Sequence, residues 1–311
     1  MPLIVVVDPP ILMRTSATEL TGYSDASGAN NYGPQLGDSE FEFIRHVIAE
    51  NAGIVLGPNK RQLVQGRLAR RLRELHLNSY EEYCAHIRES GPEELVGLIN
   101  ALTTNVTSFF RENHHFEGLA SYMLPEAFKR NQQSRRIRIW SAGCSTGEEA
   151  YCLAMVVREA LPAGQKWDLK ILATDIDSEV VATAQRGIYP LDRLVSLSPD
   201  RLQRHFHKGT GEHSGQARVR AELAQFISFR TLNLMNAWPM SGPFDIIFCR
   251  NVMIYFDQPT RERLVSRFAE LLIPDGYLCL GHSESIHGTG GPFRLVGKTI
   301  YRKSGGNSRG T

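Results

Sequence analysis

Only five cysteines occur in 311 residues, and Cys84, Cys144, Cys152, Cys249 and Cys279 show no paired metal-ligand spacing. Lying mostly in apolar segments, they read as the reduced thiols of a cytosolic protein. Neither a disulfide nor a metal is expected, and the cytoplasm is the expected compartment. Charge of one sign is scarce as well. The 35 basic and 33 acidic side chains leave +2, which gives no ground for a nucleic-acid partner unless charge clusters locally. The apolar start, Leu3–Val7, lacks a basic leader and is stopped by Asp8-Pro9-Pro10, so it fits neither a signal peptide nor a membrane span. Phosphate-binding signatures are missing too. The loop around Gly143 and Gly147 carries neither the Walker lysine nor the three-glycine dinucleotide fingerprint, which sets a NAD-dependent dehydrogenase aside.

What is present centres on Ile137–Glu149. A strand-like alternation, Ile137-Arg138-Ile139-Trp140, breaks at Ser141, Ala142, Gly143, Ser145 and Gly147, and the apolar helical run Ala150–Leu161 follows two acids. That is a strand, a glycine turn and a helix. Small side chains there let a ligand lie against the backbone, and Glu148 and Glu149 repel phosphates but attract an amine or a cation. An ordinary strand-to-helix turn has the same look.

With 42% hydrophobic and 22% charged residues the chain can bury a full core and make two domains. Residues 1–38, rich in Gly, Ser, Asn and Pro, read as a flexible tail, and 304–311 as a disordered end. Ser39–Glu42 and Ser79–Glu82 are capping boxes that open helices of a small helical domain over 39–115. Between them a helix over 59–76 sets Leu68, Leu72 and Leu75 on one face and Arg67, Arg70 and Arg71 on another. The basic face suits a solvated surface or an acidic partner. The line Thr103–Arg111 joins polar residues to two phenylalanines, and the adjacent His114 and His115 are expected to point to different faces as structural residues.

Strands over 168–177, 226–234, 244–249 and 278–281, with a helix over 259–272 and a closing hairpin over 293–302, alternate as in a doubly wound, mostly parallel α/β sheet over 116–303. Residues 186–225 interrupt it as an inserted β-subdomain with a glycine-rich hairpin. Ligands of such sheets bind at the carboxyl ends of strands, where Gly143, Asp175, Asn233, Arg250 and Asn251 fall. Asp175 is placed for ribose hydroxyls and Asp177 for capping the next helix.

Ile273–Leu278 resembles the corresponding turn of class I S-adenosylmethionine-dependent methyltransferases. Thr103–Arg111, Trp140–Glu149, Ala173–Asp177, Phe248–Phe256 and Gly281–Glu284 resemble, in order and spacing, the CheR family of chemotaxis receptor methyltransferases over about residues 39–303. Residues 1–38 have no counterpart in the family core, and Ala150 and Cys152 stand where the family often has Pro and Ser. The resemblance implies a Rossmann-like fold and methyl transfer from S-adenosylmethionine to glutamate γ-carboxylates of chemoreceptor helices. Asn105, Thr107, Arg111, Glu149, Asp175, Asn233, Leu234, Arg250 and Asn251 match cofactor contacts; Glu149 suits the cationic end of the methionine moiety. Arg111 and Tyr255 match residues near the transferred methyl, and Arg111 holds either the substrate's or the cofactor's carboxylate. The resemblance also favours receptor docking by Arg67, Arg70 and Arg71. A receptor C-terminal peptide is expected on a free edge of the β-subdomain, beside Arg218 and Arg220. A monomer is expected. The rival is a non-catalytic cofactor-sensing scaffold of the same fold, against which Arg111 and Tyr255 speak.

Overall fold

A computed structural model describes residues 33–162, 164–286 and 291–305. The expected tail over 1–38 and the expected disordered end over 304–311 lie mostly outside them. Helices α1 (Asp38–Ala52), α2 (Arg61–Glu74), α3 (Tyr80–Ser90) and α4 (Pro92–Leu102) pack first. Phe41, Ile44 and Ile48 of α1 meet Val64, Leu68 and Leu72 of α2 in a common core, as their helical spacing requires. The cap of α1 differs from expectation. Gly37 is the N-cap and makes no side-chain cap bond, while Ser39 donates to Glu40 Oε1 at 2.9 Å. With the helix begun at Asp38, Ser39 already lies inside its first turn. Ser79, by contrast, accepts the Glu82 N–H at 3.1 Å, and Glu82 in turn accepts the Asn78 N–H at 2.8 Å. Gly53, at φ 70°, closes α1 by donating to the Ala49 carbonyl.

Residues 103–113 cross to the second part of the chain. Next come α5 (His114–Gly118), a π-helical turn Leu119–Met123 and α6 (Leu124–Arg130). Phe116, Leu119, Met123 and Leu124 bury themselves against the main sheet, not against the helical bundle. That sheet has seven strands, β1 (Arg136–Ala142), β2 (Asp168–Asp175), β6 (Ile227–Thr231), β7 (Phe244–Cys249), β8 (Leu272–Leu280), β9 (Phe293–Gly297) and β10 (Ile300–Lys303). Their order is β6-β2-β1-β7-β8-β10-β9; the first five are mutually parallel and β10 runs antiparallel to both neighbours. Strand β7 is buried at every position, as an interior parallel strand must be. Helices α7 (Glu148–Ala160), α8 (Ser178–Arg186) and α11 (Gln258–Leu271) connect the parallel strands. Strand β8 begins six residues before the expected strand, because the Pro274–Gly276 turn is a bulge within it, with Asp275 at φ 60°.

The insertion between α8 and β6 contains β3 (Ile188–Pro190), α9 (Pro199–His205), β4 (Phe206–Lys208), β5 (Gln216–Val219) and α10 (Ala221–Ala224). Its three strands form an antiparallel sheet in the order β3-β5-β4. Arg218 therefore stands on the central strand, paired with Ile188 on one side and His207 on the other. The edges of this sheet belong to β3 and β4, not to the strand that carries Arg218. Arg220 turns back to the Gln203 carbonyl at 3.2 Å. Among the described residues no helix is long and apolar enough to cross a membrane.

Candidate active site

The connection from β1 to α7 sets the floor of one cleft. Gly143 (φ 95°) and Gly147 (φ 97°) take conformations that side chains rarely adopt. Protein packing adds a second demand. A Cβ on Gly143 would run into Val252, and one on Gly147 would lie 2.7 Å from the Ala184 Cβ. The small residues thus serve the close approach of helix and loop as much as that of a ligand. The two acids opening α7 separate. Glu148 is buried away from the cleft against the Arg193 guanidinium and the Thr146 hydroxyl, fastening the insertion. Glu149 lines the cleft.

All ten residues expected at the cofactor or the reacting centre border this one cleft: Asn105, Thr107, Arg111, Glu149, Asp175, Asn233, Leu234, Arg250, Asn251 and Tyr255. They arrive from the crossing segment, from α7, and from the carboxyl ends of β2, β6 and β7. Asp175 accepts the Ser145 N–H at 2.7 Å and the Asp177 N–H at 3.1 Å. Burial nevertheless raises its carboxyl to about 6, against those hydrogen bonds. Asp177 caps α8 by accepting from the Glu179 and Val180 N–H groups. Its other oxygen accepts from Thr103 at 2.9 Å and Asn105 at 2.7 Å, anchoring the crossing segment over the cleft.

Glu149 does not wait alone for a cation. Its Oε1 accepts from Ser141 at 2.7 Å and its Oε2 from Arg250 Nη1 at 2.9 Å. Arg250 also lies 3.4 Å from Glu112 and donates to the Arg111 carbonyl. Burial would raise the Glu112 carboxyl, but His282, Arg250 and Asn251 outweigh it and hold the group down at about 2. His114 and His115 do not diverge as expected; their rings lie 4.0 Å apart. The short α5, starting at His114 next to Glu112 in a left-handed conformation, lets both turn the same way. Among the described residues Glu112, His114 and His115 form a group whose possible metal-ligating atoms lie within 4.8 Å of one another, and Arg250 already neutralises its acid. Burial, then Arg250 and His114, depress the His115 imidazole to about 3, so it is neutral.

Several contributors had no role assigned from the sequence. Glu284 is buried and accepts from the N–H groups of Gly281 at 2.6 Å, Asn251 at 2.9 Å and Ile254 at 3.2 Å, setting the loop from Arg250 to Tyr255. The helical bundle supplies a whole wall, including Ile54, Leu56 and Leu63. Asn233 ties that wall down, donating to the Asn51 carbonyl at 2.5 Å, and the Val55 N–H donates to the Tyr255 carbonyl at 2.9 Å. Of the three arginines expected on a docking face, only Arg70 stays outward, with Glu74 beside it at 2.7 Å. Arg67 donates to the carbonyls of Leu102 and Thr103 and to the Thr104 hydroxyl. Arg71 makes a two-pronged contact with buried Glu94, which also accepts from Tyr83 at 2.7 Å.

Residues 39–103 match the family described as the CheR methyltransferase all-alpha domain, and residues 105–302 match the CheR methyltransferase SAM binding domain. The chain belongs to the CheR methyltransferase family. A chemotaxis protein methyltransferase of Salmonella typhimurium is 46% identical over 272 residues, 86% of this chain and 91% of its own. One of Escherichia coli is 46% identical over 273 residues, covering 86% and 92%. Chemotaxis protein methyltransferase 2 of Pseudomonas aeruginosa is 45% identical over 277 residues, covering 86% and 96%. CheR membership makes the cofactor S-adenosylmethionine and the activity methyl transfer in chemotaxis. The cleft's own chemistry fits that cofactor. Asp175 offers a buried acceptor for ribose hydroxyls, Ile176, Leu232 and Leu234 an apolar slot, and Arg111 with the Glu149–Arg250 pair a charged end for an amino acid group.

Proposed function

We propose that this protein methylates glutamate γ-carboxylates on the cytoplasmic helices of chemoreceptors, as a monomer in the cytoplasm, giving methyl esters. The observation that carries the reading is the convergence of all ten expected residues on one cleft whose rim holds both Arg111 and Tyr255. When bound, S-adenosylmethionine supplies a methyl group on a cationic sulfur. The incoming carboxylate is already ionised at neutral pH, so no general base is needed. What the chain contributes is alignment and exclusion of water. Arg111, whose Nη1 donates to the Val106 carbonyl at 2.7 Å, is held where a carboxylate enters; Tyr255 is held from the other side by Val55. Asp175, Asn105, Thr107, Asn233, Leu234 and Asn251 position the cofactor, and the Glu149–Arg250 pair faces its amino acid end.

Receptor recognition divides between two surfaces. On α2, exposed Arg70 and its neighbour Arg73 meet the acidic helices, whereas Arg67 and Arg71 keep α2 in place. A receptor C-terminal peptide adds to an edge of the β-subdomain at β3 or β4, with Arg218 and Arg220 as support for the sheet. The decisive experiment is transfer of labelled methyl from S-adenosylmethionine to receptor-bearing membranes, with release of the label by mild base as expected of a carboxyl ester. Cofactor binding without transfer to any receptor would favour the sensing scaffold.

A further inference from the structure

The mouth of the cleft carries apolar side chains that water reaches. Val106 is 75% exposed, Val55 52% and Leu63 38%, and all three line the cleft. Single exposed apolar residues are ordinary; three from separate segments around one polar cleft are a surface awaiting cover. Each is fixed by its surroundings. The Val55 N–H holds the Tyr255 carbonyl, the Val106 carbonyl holds Arg111, and Leu63 rides on α2 one turn from Lys60 and Arg67, which line the same wall. The collar therefore brackets the two reacting-centre candidates, with cations along its α2 side.

We infer that Val55, Leu63 and Val106 form an apolar collar that seats the receptor helix around its target glutamate and strips water from the carboxylate. The inference rests on the proposed function. Its occupant follows from charge and continuity: an acidic helix along α2 must pass Leu63 to bring a side chain to Arg111 and Tyr255. On such a helix the residues three and four positions either side of the target share its face. Those neighbours then press on the collar. Uncharged side chains there exchange water for apolar contact, whereas a charged one away from the α2 cations is desolvated without a partner. The collar thus selects among receptor glutamates by their neighbours, a task α2's charges cannot perform because they attract any acidic helix.

The test uses the full-length protein with a soluble receptor cytoplasmic fragment at saturating S-adenosylmethionine. Val106→Asn and Leu63→Asn should each lower kcat/KM for the receptor by roughly tenfold or more, chiefly through KM, since a buried unsatisfied amide faces the seated helix. Calorimetric affinity for S-adenosylhomocysteine should stay within about twofold, and Val106→Ile should behave as wild type. Wild-type kcat/KM in both Asn variants would overturn the collar while leaving the proposed function standing. A cofactor affinity that falls as far as kcat/KM would also overturn it, making these residues part of the cofactor wall. Wild-type protein that binds cofactor but methylates no receptor defeats the proposed function, and the collar with it.

Discussion

Glu149 and Arg250 form a buried ion pair, Oε2 to Nη1 at 2.9 Å, and Arg250 also holds the Arg111 carbonyl of the crossing segment. Arg250 has a second acid, Glu112, at 3.4 Å, while among the described residues Glu149 has only the Ser141 hydroxyl besides. Removing the cation leaves two acids facing each other, whereas removing Glu149 leaves Arg250 still paired. Arg250→Met should therefore destabilise the fold by roughly 3–5 kcal/mol, and Glu149→Gln by clearly less. Denaturant unfolding of the two variants checks the order; equal losses would mean that Glu112 does not share the pair.

Asp175 should give cofactor binding a pH dependence. Its carboxyl is raised to about 6 in the free protein, above the ordinary aspartate range, so it is ionised above that pH and protonated below it. A ribose hydroxyl donates best to the charged form, so affinity should fall as pH drops through about 6. Asp175→Asn should lower affinity about tenfold near neutrality and flatten this profile. Calorimetry on either side of that pH reads both effects.

Tyr255 and Arg111 separate chemistry from binding. Tyr255→Phe should lower kcat by more than it weakens cofactor affinity, because the ring and its packing survive while the hydroxyl is lost. Arg111→Ala should weaken both, since the guanidinium also props the crossing segment through Val106. Full turnover by Tyr255→Phe would take the tyrosine out of the reacting centre.

Glu284 touches neither expected ligand yet sets the loop that does. Glu284→Ala orphans three N–H groups and should cost about 3 kcal/mol of stability, with kcat falling alongside. Glu284→Gln keeps one acceptor oxygen and should recover part of each. Hydrogen exchange at Asn251 and Ile254 reports the loop directly: protection unchanged in the Ala variant would mean that other bonds hold it.

The strands were legible because each carries its own signal: β1 alternates, β7 is apolar throughout, and acids or amides mark the strand ends where Asp175 and Asn251 lie. Eight of the ten cleft residues fall in four short blocks, and Asn233 and Leu234 follow the end of β6. Pairings between distant elements could not be read in this way. Nothing in α2 announces that Arg71 meets Glu94 or that Arg67 meets the end of α4, since a long cationic side chain looks the same whether it reaches water or a buried carboxylate. The block Gly281–Glu284 was visible, but nothing in it says that the Glu284 carboxylate gathers three loop N–H groups, and the edge order of the β-subdomain depended on which of three short strands sits centrally.

Arg67 has a thermodynamic meaning beyond its bonds. By gripping the carbonyls of Leu102 and Thr103 it ties α2, the helix proposed to meet the receptor, to the strap that carries Asn105, Thr107 and Arg111. Whatever fixes α2 also steadies the strap, so the two substrates of the reaction are coupled: each should bind more tightly in the presence of the other, and by the same factor. Cutting the tie with Arg67→Met would leave two independent affinities where the native protein has one shared equilibrium.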